Sequence, residues 1–500
     1  MTMQSGVLFE RFEQAEQARE LALFGVSLLS RNDSVSYGDL RFTTLVTRSL
    51  SVKNGDVDRV TDNDDRGFGV RLVADGAWGF AASNELTEEA VARAVLRAVE
   101  VAKTSAALGG RRVELCEIEP VVADHVEAVA EDPLAVPLGR SLDLMVRASE
   151  RMTGVSPKVK VASAQMDFSG HGRLFASTEG SLIRQYWHQT GGEISATAID
   201  GDGLQVRSWP ASMGGNHVRG GYEFIGAMDF PGQAGRVAGE AVELLSAPPC
   251  PVGVTDLVID SSQMALQIHE SCGHPTELDR VIGDEISLAG GSFLGLEKRG
   301  RFRYGSPLVN IVADATVPGA LGSFAYYDEG VPGARFHLVR DGLFTGYLAS
   351  RETAAMVGLE RSNGTMRADG WGNFPLIRMT NINLEPGAGT LEDLVADVKQ
   401  GVYVETNRSW SIDDLRLNFQ FGTELGREIR NGKLGGLLRN PVYTGVTPQF
   451  WGSCDGIAGP GDWQVWGIPN CGKGEPLQTA HVGHGASPAR FRGVQVGVDS

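Results

Sequence analysis

Long apolar segments are missing from this chain. Its 500 residues are 42% hydrophobic and 21% charged, which supplies a large core, yet no uninterrupted run reaches the ~18 apolar residues that would span a bilayer. Near the start of the sequence, Glu10, Arg11 and Glu13 precede any apolar stretch as long as a signal peptide requires. We therefore expect a cytoplasmic protein of two or three domains with no membrane partner.

Positive charge is also scarce. The 45 Lys and Arg residues are outnumbered by 62 Asp and Glu residues, so the net charge is −17. Nothing in the sequence resembles a basic stripe that would follow a phosphate backbone. We expect no nucleic-acid partner.

Cysteine is rare, and its spacing is irregular. The chain has five Cys residues, an odd number, at positions 116, 250, 272, 454 and 471. Such scattered residues do not form a disulfide framework. In a reducing compartment they serve as buried apolar residues or as metal ligands.

Glycine, in contrast, is abundant, with 65 residues. Several of these glycines follow Asn or Asp between strand-like runs, which is typical of two-residue hairpin turns. The turns of this kind are Asn54-Gly55, Asp75-Gly76, Asp202-Gly203, Asp341-Gly342 and Asn431-Gly432. They predict several antiparallel sheets.

Periodicity and capping signals predict the remaining elements. We expect a helix over residues 8–29, a strand pair over 67–82, and a long helix that Thr87 caps and that runs to about Lys103. Separate short strands are expected at 158–165, 172–177, 181–188, 193–199 and 204–209. Pro248-Pro249 marks a boundary, after which a strand at 255–259 leads into a helix that carries His269.

The predicted fold class is α+β. An N-terminal α/β domain with an antiparallel sheet and long helices is followed by a β-rich, mostly antiparallel and barrel-like C-terminal domain. We divide the chain into an α+β domain at 1–110, a strand-rich α+β region at 111–249 and a β-rich C-terminal domain at 250–500.

Two imidazoles and one carboxylate fall within six residues, at His269, Glu270 and His274. Two neutral imidazoles can hold Zn²⁺, and a neighbouring carboxylate can take a proton from water. The two His are five residues apart, which separates them by about 140° around a regular α-helix. Gly273 tolerates backbone dihedral angles that other residues do not, and Pro275 disfavours helical geometry at His274. We therefore expect a π-bulge or a frayed turn that brings the imidazoles together.

A catalytic zinc site usually takes a third protein ligand. Cys471 is the first candidate because it lies in a glycine-flanked loop, with Lys473 nearby to favour the thiolate. The alternatives are Cys272, Cys454, His481, His484, Glu277 and Asp279. We expect Cys272 to be a core residue, and His481 and His484 form a short H-x-x-H whose simpler interpretation is two exposed loop imidazoles.

Several ordered motifs together resemble the TldD/PmbA family of metallopeptidases, over roughly residues 30–493. They are His269-Glu270 with His274, Cys471-Gly472-Lys473, Tyr327-Asp328-Glu329-Gly330, Arg378-Met379-Thr380-Asn381, and Gly69-Val70-Arg71 followed by Asn84-Glu85-Leu86. Because the His pair is present, the chain resembles the catalytic TldD-type subunit.

The resemblance implies a ligand set and a mechanism. His269, His274 and Cys471 would bind Zn²⁺, and Glu270 would be the general base. It also implies a homodimer, or a heterodimer with a related family subunit, that encloses the active site and cleaves unfolded peptides. Ser271-Cys272 and the segment 274–279 depart from the motif of the best-known members, which affects the expected substrate more than the chemistry.

The sequence thus predicts a zinc-dependent peptidase that hydrolyses unfolded peptides or small proteins. Two alternatives stay open: a non-catalytic, metal-stabilised binding or assembly subunit, and a zinc hydrolase of small amides. Tyr326, Tyr327, Asp328 and Glu329 would line a substrate groove, stabilise an oxyanion or form a sheet-end turn with a core Tyr. Arg378 and Asn381 are expected to be structural.

Overall fold

The computed structural model of the chain describes residues 6–288, 290–474 and 477–497. Its first half is built on one eight-stranded sheet in the order β3-β2-β1-β5-β6-β4, with β7 and β8 also paired to β6. The strands are β1 (Val35–Lys53), β2 (Asp56–Ala74), β3 (Ala77–Ser83), β4 (Val122–Val126), β5 (Val159–Ser177), β6 (Leu182–Asp200), β7 (Gly203–Trp209) and β8 (Asn216–Arg219). The helices are α1 (Gly6–Ser30), α2 (Glu88–Ala107), α3 (Leu138–Thr153), α4 (Glu223–Met228) and α5 (Phe230–Ser246).

Local signals account for the β2–β3–α2 segment. Asp75 and Gly76 have φ angles of 55° and 84°, as the predicted two-residue turn requires. The Thr87 side chain accepts a hydrogen bond from the Ala90 amide at 3.2 Å, which caps α2. The Ala and Val residues of α2 then pack on the sheet beside the β2 core.

The prediction of short strands between residues 158 and 199 was wrong. Residues 159–165 and 172–177 belong to one strand, β5, and residues 182–188 and 193–199 belong to β6. The intervening glycines make room for neighbours and do not form turns. A Cβ at Gly191 would lie 2.1 Å from the His217 ring, and a Cβ at Gly192 would lie 2.5 Å from the Gln165 carbonyl oxygen.

The second half of the chain is rich in strands. Its helices are α6 (Ser261–Ile268), α7 (Leu278–Ile282), α8 (Leu391–Ala396) and α9 (Thr447–Gly452). Its strands are β9 (Gly253–Ile259), β10 (Ile311–Asp314), β11 (Arg335–Arg340), β12 (Leu343–Phe344), β13 (Met366–Arg367), β14 (Leu376–Ile377), β15 (Ile382–Leu384), β16 (Gln400–Ile412), β17 (Asn418–Arg430), β18 (Lys433–Leu438), β19 (Val442–Val446), β20 (Cys454–Ile457), β21 (Gln464–Lys473), β22 (Gln478–Ala486) and β23 (Ala489–Val496).

Five of these strands close a barrel, as the barrel-like prediction requires. β16 pairs with β9, β9 with β23, β23 with β19, β19 with β17, and β17 again with β16. Only the β16–β9 pair is parallel. Aromatic rings pack in the barrel core, where Phe419 stacks on Phe421 and Phe450 stacks on Phe491.

The barrel positions α6. β9 ends at Ile259, and the Asp260 side chain then accepts a hydrogen bond from the Ser262 amide at 2.8 Å, which begins α6. α6 packs against the β21–β22 hairpin, which supplies Cys471. None of the helices within the described ranges has the length and apolar character needed to cross a membrane.

Candidate metal centre

The helix that carries His269 changes its geometry at that residue. α6 ends at Ile268, a π-helical turn covers His269–Gly273, and a 3₁₀ turn covers His274–Thr276. The wider turn brings the rings of His269 and His274 to a centroid separation of 4.8 Å. The predicted bulge is therefore confirmed.

Neighbouring side chains stabilise this irregular backbone. The Thr276 hydroxyl donates to the carbonyl oxygens of Cys272 at 3.0 Å and Gly273 at 2.7 Å. The Tyr304 hydroxyl donates to the Ser271 carbonyl oxygen. Acceptors that a regular helix would satisfy are thus paired by side chains, which a buried segment requires.

Gly273 is needed for its lack of a side chain. A Cβ there would lie 2.0 Å from the Met379 sulfur. We expect Gly273→Ala to lower the free energy of unfolding by about 1–3 kcal/mol because the core must move, and to displace His274. Gly239→Ala is the matched control, because it lies inside α5 with no atom within 4 Å of its Cβ, and it should stabilise by about 0.5–1 kcal/mol. Denaturant unfolding of both variants checks this, and equal stability of the two would contradict it.

Cys471 reaches the two imidazoles from β21. The register between β21 and β22 shifts between Ile468 and Cys471, and the Cys471 sulfur lies 3.8 Å from Nε2 of His274. Ligand atoms of His269, His274 and Cys471 all lie within 4.8 Å of one another. In the described part of the chain, no other group of three or more His, Cys, Asp or Glu residues is arranged so that it could hold a metal ion.

The pKa shifts of the three groups are in the direction that favours metal binding. Burial lowers the pKa of His269 and lowers that of His274 further, so both imidazoles are neutral at pH 7. Burial also acts to raise the pKa of the Cys471 thiol, but His274 and Arg378 outweigh it and leave that pKa below its usual value. Arg378 also donates to the Cys471 carbonyl oxygen, which agrees with its predicted structural role.

His484 orients His269. Nδ1 of His484 lies 3.0 Å from the Ile382 carbonyl oxygen, which can only accept, so this nitrogen carries the proton. Burial lowers the pKa of His484 well below its usual value, and its Nε2 therefore accepts from Nδ1 of His269 at 2.8 Å. The lone pair of His269 is thereby placed on Nε2. The prediction of exposed loop imidazoles was wrong, because both His484 and His481 lie within β22 and only His481 is partly exposed.

Glu277 plays the corresponding part for His274. Its carboxylate lies 2.9 Å from Nδ1 of His274, which leaves Nε2 facing the Cys471 sulfur. Asp279 binds the Lys473 ammonium group at 2.7 Å. Glu277 and Asp279 thus support the site and stay outside the cluster of three, and Lys473 donates to Asp279 and to the Ile377 carbonyl oxygen.

Glu270 lies beside this cluster in a cavity of about 310 Å³. Its carboxylate forms an ion pair with Arg416 at 2.5 Å. Arg416 has a φ of 62° and is far away in sequence, so no local pattern predicted it. Other walls of the cavity come from Trp410, Trp466 and the 211–215 loop.

Other residues that the sequence singled out are structural. Asp328 pairs with Arg173 at 2.5 Å and Tyr327 is buried, which fits the interpretation of a sheet-end turn with a core Tyr. Burial raises the pKa of Cys272 to about 12, as a core thiol requires. The Asn381 amide donates to the Asp314 carbonyl oxygen at 2.7 Å.

The sequence matches two family profiles in chain order. One is described as PmbA/TldA metallopeptidase domain 1 and covers residues 38–102. The other is described as PmbA/TldA metallopeptidase C-terminal domain and covers residues 252–497. A metalloprotease from Methanothermobacter thermautotrophicus is 31% identical over 95% of this chain and 98% of its own length. The chain belongs to the TldD/PmbA family of metallopeptidases.

Other comparisons agree with the TldD/PmbA family. A protein of Saccharolobus solfataricus named zinc metalloprotease TldD homolog is 23% identical over 82% of this chain and 86% of its own length. The crystal structure of TldE from Thermococcus kodakarensis superposes with a TM-score of 0.71 at 15% identity, and the match covers 96% of this chain and 100% of that one. The fold of this chain is therefore similar to that of TldE over nearly its whole length.

Proposed function

We propose that this protein is a zinc-dependent peptidase that hydrolyses unfolded peptides. The observation that carries the proposal is the convergence of His269, His274 and Cys471, from two distant segments, beside the carboxylate of Glu270. A structural site would not need a base at that place, whereas a hydrolytic site does.

The donor set fits zinc. Two imidazoles and one thiolate are ligands that Zn²⁺ prefers, and tetrahedral coordination would separate these atoms by about 3.4–3.6 Å. The 3.8 Å between Cys471 and His274 is close to that distance, and the S. solfataricus relative has zinc in its name. When bound, the ion supplies Lewis acidity to a scissile carbonyl and lowers the pKa of water towards about 7.

Glu270 is proposed as the general base. Its carboxylate takes a proton from the attacking water and later delivers it to the leaving amine. Arg416 holds one carboxylate oxygen and fixes the direction of the group. His484 and Glu277 keep the two metal-binding imidazoles in one tautomer and one orientation, so this arrangement exists before any substrate binds.

The shape of the site favours an extended substrate. His269 and Glu270 are 4% and 5% exposed, so a folded protein surface does not reach them. Trp410 lines the cavity and is 43% exposed, and Leu415, which precedes the lining residue Arg416 in the sequence, is 48% exposed. We propose that a second subunit, in a homodimer or a heterodimer with a related family member, covers them.

Metal analysis combined with a peptide-library digest tests the function. We expect about one zinc ion per chain. We also expect the protein to cleave peptides, and a chelator should abolish this cleavage. Bound zinc without any cleavage would favour a non-catalytic binding or assembly subunit. Cleavage of small amides alone would favour a zinc hydrolase of small amides. Light scattering on the same preparation gives the subunit number.

A further inference from the structure

A second cavity adjoins the candidate metal centre. It measures about 460 Å³ and shares part of its wall with the first cavity, namely Met213, Pro469 and Asn470. Its other side is formed by strands β1, β5 and β6 of the large sheet. A peptide substrate that extends from the metal centre over this shared wall would therefore reach the second cavity.

The shared wall is held in place by hydrogen bonds. The Glu193 carboxylate accepts from the Gly214 amide at 2.6 Å, and the Ser212 hydroxyl donates to the Asn407 carbonyl oxygen at 2.5 Å. Just after the 211–215 loop, the Asn216 side chain donates a hydrogen bond to the Val465 carbonyl oxygen at 3.2 Å and accepts one from the Gly467 amide at 2.7 Å. The two cavities thus keep a fixed relation to each other.

Asp167 gives the second cavity a negative charge. Among the described residues that line it, Asp167 is the only one with a carboxylate, and none is Lys or Arg. The Ser49 hydroxyl donates to the carboxylate at 2.6 Å and the Gln165 amide donates at 2.8 Å. Ser49 lies directly opposite Asp167 in the β1–β5 register, so the sheet itself orients the group.

The two imidazoles in this cavity leave that charge uncompensated. Burial lowers the pKa of His217 to about 4 and that of His481 to about 3, so both are neutral at pH 7. Nε2 of His217 lies 4.0 Å from the Asp167 carboxylate, and its buried Nδ1 has no hydrogen-bond partner within the described structure. The His217 ring lies against Gly191, where the Cβ of any other residue would clash with the ring.

We propose that this cavity is a specificity subsite in which Asp167 binds a cationic group of the peptide substrate. A partly buried carboxylate with neutral hydrogen-bonding neighbours favours a cation over a neutral isostere. The group is a Lys or Arg side chain, or the free α-ammonium group at the N-terminus of the peptide. This inference rests on the proposed peptidase function and names the substrate class of that site.

Peptide binding to the zinc-loaded Glu270→Gln chain tests the subsite without cleavage. Fluorescence anisotropy measures the affinity for two sets of peptides. In the first set, an acetylated neutral peptide carries one Lys, or one norleucine, at each position in turn. In the second set, one neutral peptide is compared with and without its acetyl group. At one position we expect the cationic peptide to bind about ten-fold more tightly. The Lys series and the acetyl comparison distinguish the two sources of the cation.

Adding Asp167→Asn to this chain should remove the preference and leave the affinity for the norleucine peptide unchanged. Asp58→Asn is the matched control, because Asp58 on β2 accepts a hydrogen bond from the hydroxyl of Ser51, which lies on β1 as Ser49 does, but Asp58 is exposed. Asp167→Ser serves as a second variant if the first unfolds. Measurements at about 0.15 M ionic strength screen charges that are more than about 8 Å away.

Two results would overturn the subsite. One is equal binding of the Lys and norleucine peptides at every position together with no effect of acetylation. The other is a preference that survives the loss of the Asp167 charge. Failure of the peptidase proposal has a separate readout, because it would appear as no cleavage of the norleucine peptide by the chain with Glu270 intact.

Discussion

Replacing Glu270 by Gln is expected to slow peptide hydrolysis by about 10²–10⁴-fold, the usual contribution of a general base. The amide has nearly the same shape as the carboxylate but cannot take a proton from water. Glu270 is not among the three clustered ligands, so zinc content should stay at about one ion per chain. Initial rates on one fluorogenic peptide, with metal content measured on the same sample, check this result.

The control for this change is a second Glu–Arg pair in the same half of the chain. Glu428 binds Arg430 at 2.6 Å on the surface of β17, so Glu428→Gln also removes one charge from an ion pair. Its rate should equal that of the unaltered protein. If Glu270→Gln retained zinc and kept a rate within a few-fold of normal, Glu270 would not be the base.

Replacing Cys471 by Ala should remove both the metal and the activity. The two remaining imidazoles provide an incomplete set, because zinc sites in proteins take three or four protein ligands. We expect zinc content to fall from about one ion per chain to almost none after dialysis. Stabilisation of the folded chain by added zinc should disappear as well, since only a bound ligand shifts the unfolding equilibrium.

Cys454→Ala is the matched control for the loss of a buried thiol. Cys454 is 2% exposed and Cys471 is 3% exposed, and burial raises the pKa of Cys454 to about 12. This variant should keep its zinc and its activity. A Cys471→Ala chain that still retained one zinc ion after dialysis would show that the third ligand is another residue.

Sequence reasoning found the parts of the site that are close together along the chain. The spacing of His269 and His274 predicted a distorted turn because five residues do not fit one face of a regular helix. His484 and Arg416, which orient His269 and Glu270, could not be assigned these roles in this way. His484 is 215 positions from His269 and Arg416 is 146 positions from Glu270, and only the barrel and the β21–β22 hairpin bring them together.

The fold shows the same division between local and distant effects. Asp75-Gly76 predicted a hairpin because two left-handed residues are needed there, and Thr87 predicted a helix start because its hydroxyl caps a nearby amide. Separate strands were predicted at 181–188 and 193–199, but Gly191 and Gly192, which lie between those segments, are part of the continuous strand β6. The absence of a Cβ at these two positions leaves room for the His217 ring and the Gln165 carbonyl group. A sequence does not show which distant atoms will approach a glycine.

The π turn over His269–Gly273 also bears on how such a site can arise. It contains one residue more than the turn of an ordinary H-E-x-x-H helix, which places its two imidazoles on one face without distortion. The two layouts therefore differ by a single-codon insertion. In this chain, the hydroxyl groups of Thr276 and Tyr304 donate hydrogen bonds to carbonyl oxygens of the widened turn. A motif search that fixes the four-residue spacing would pass over chains of this kind.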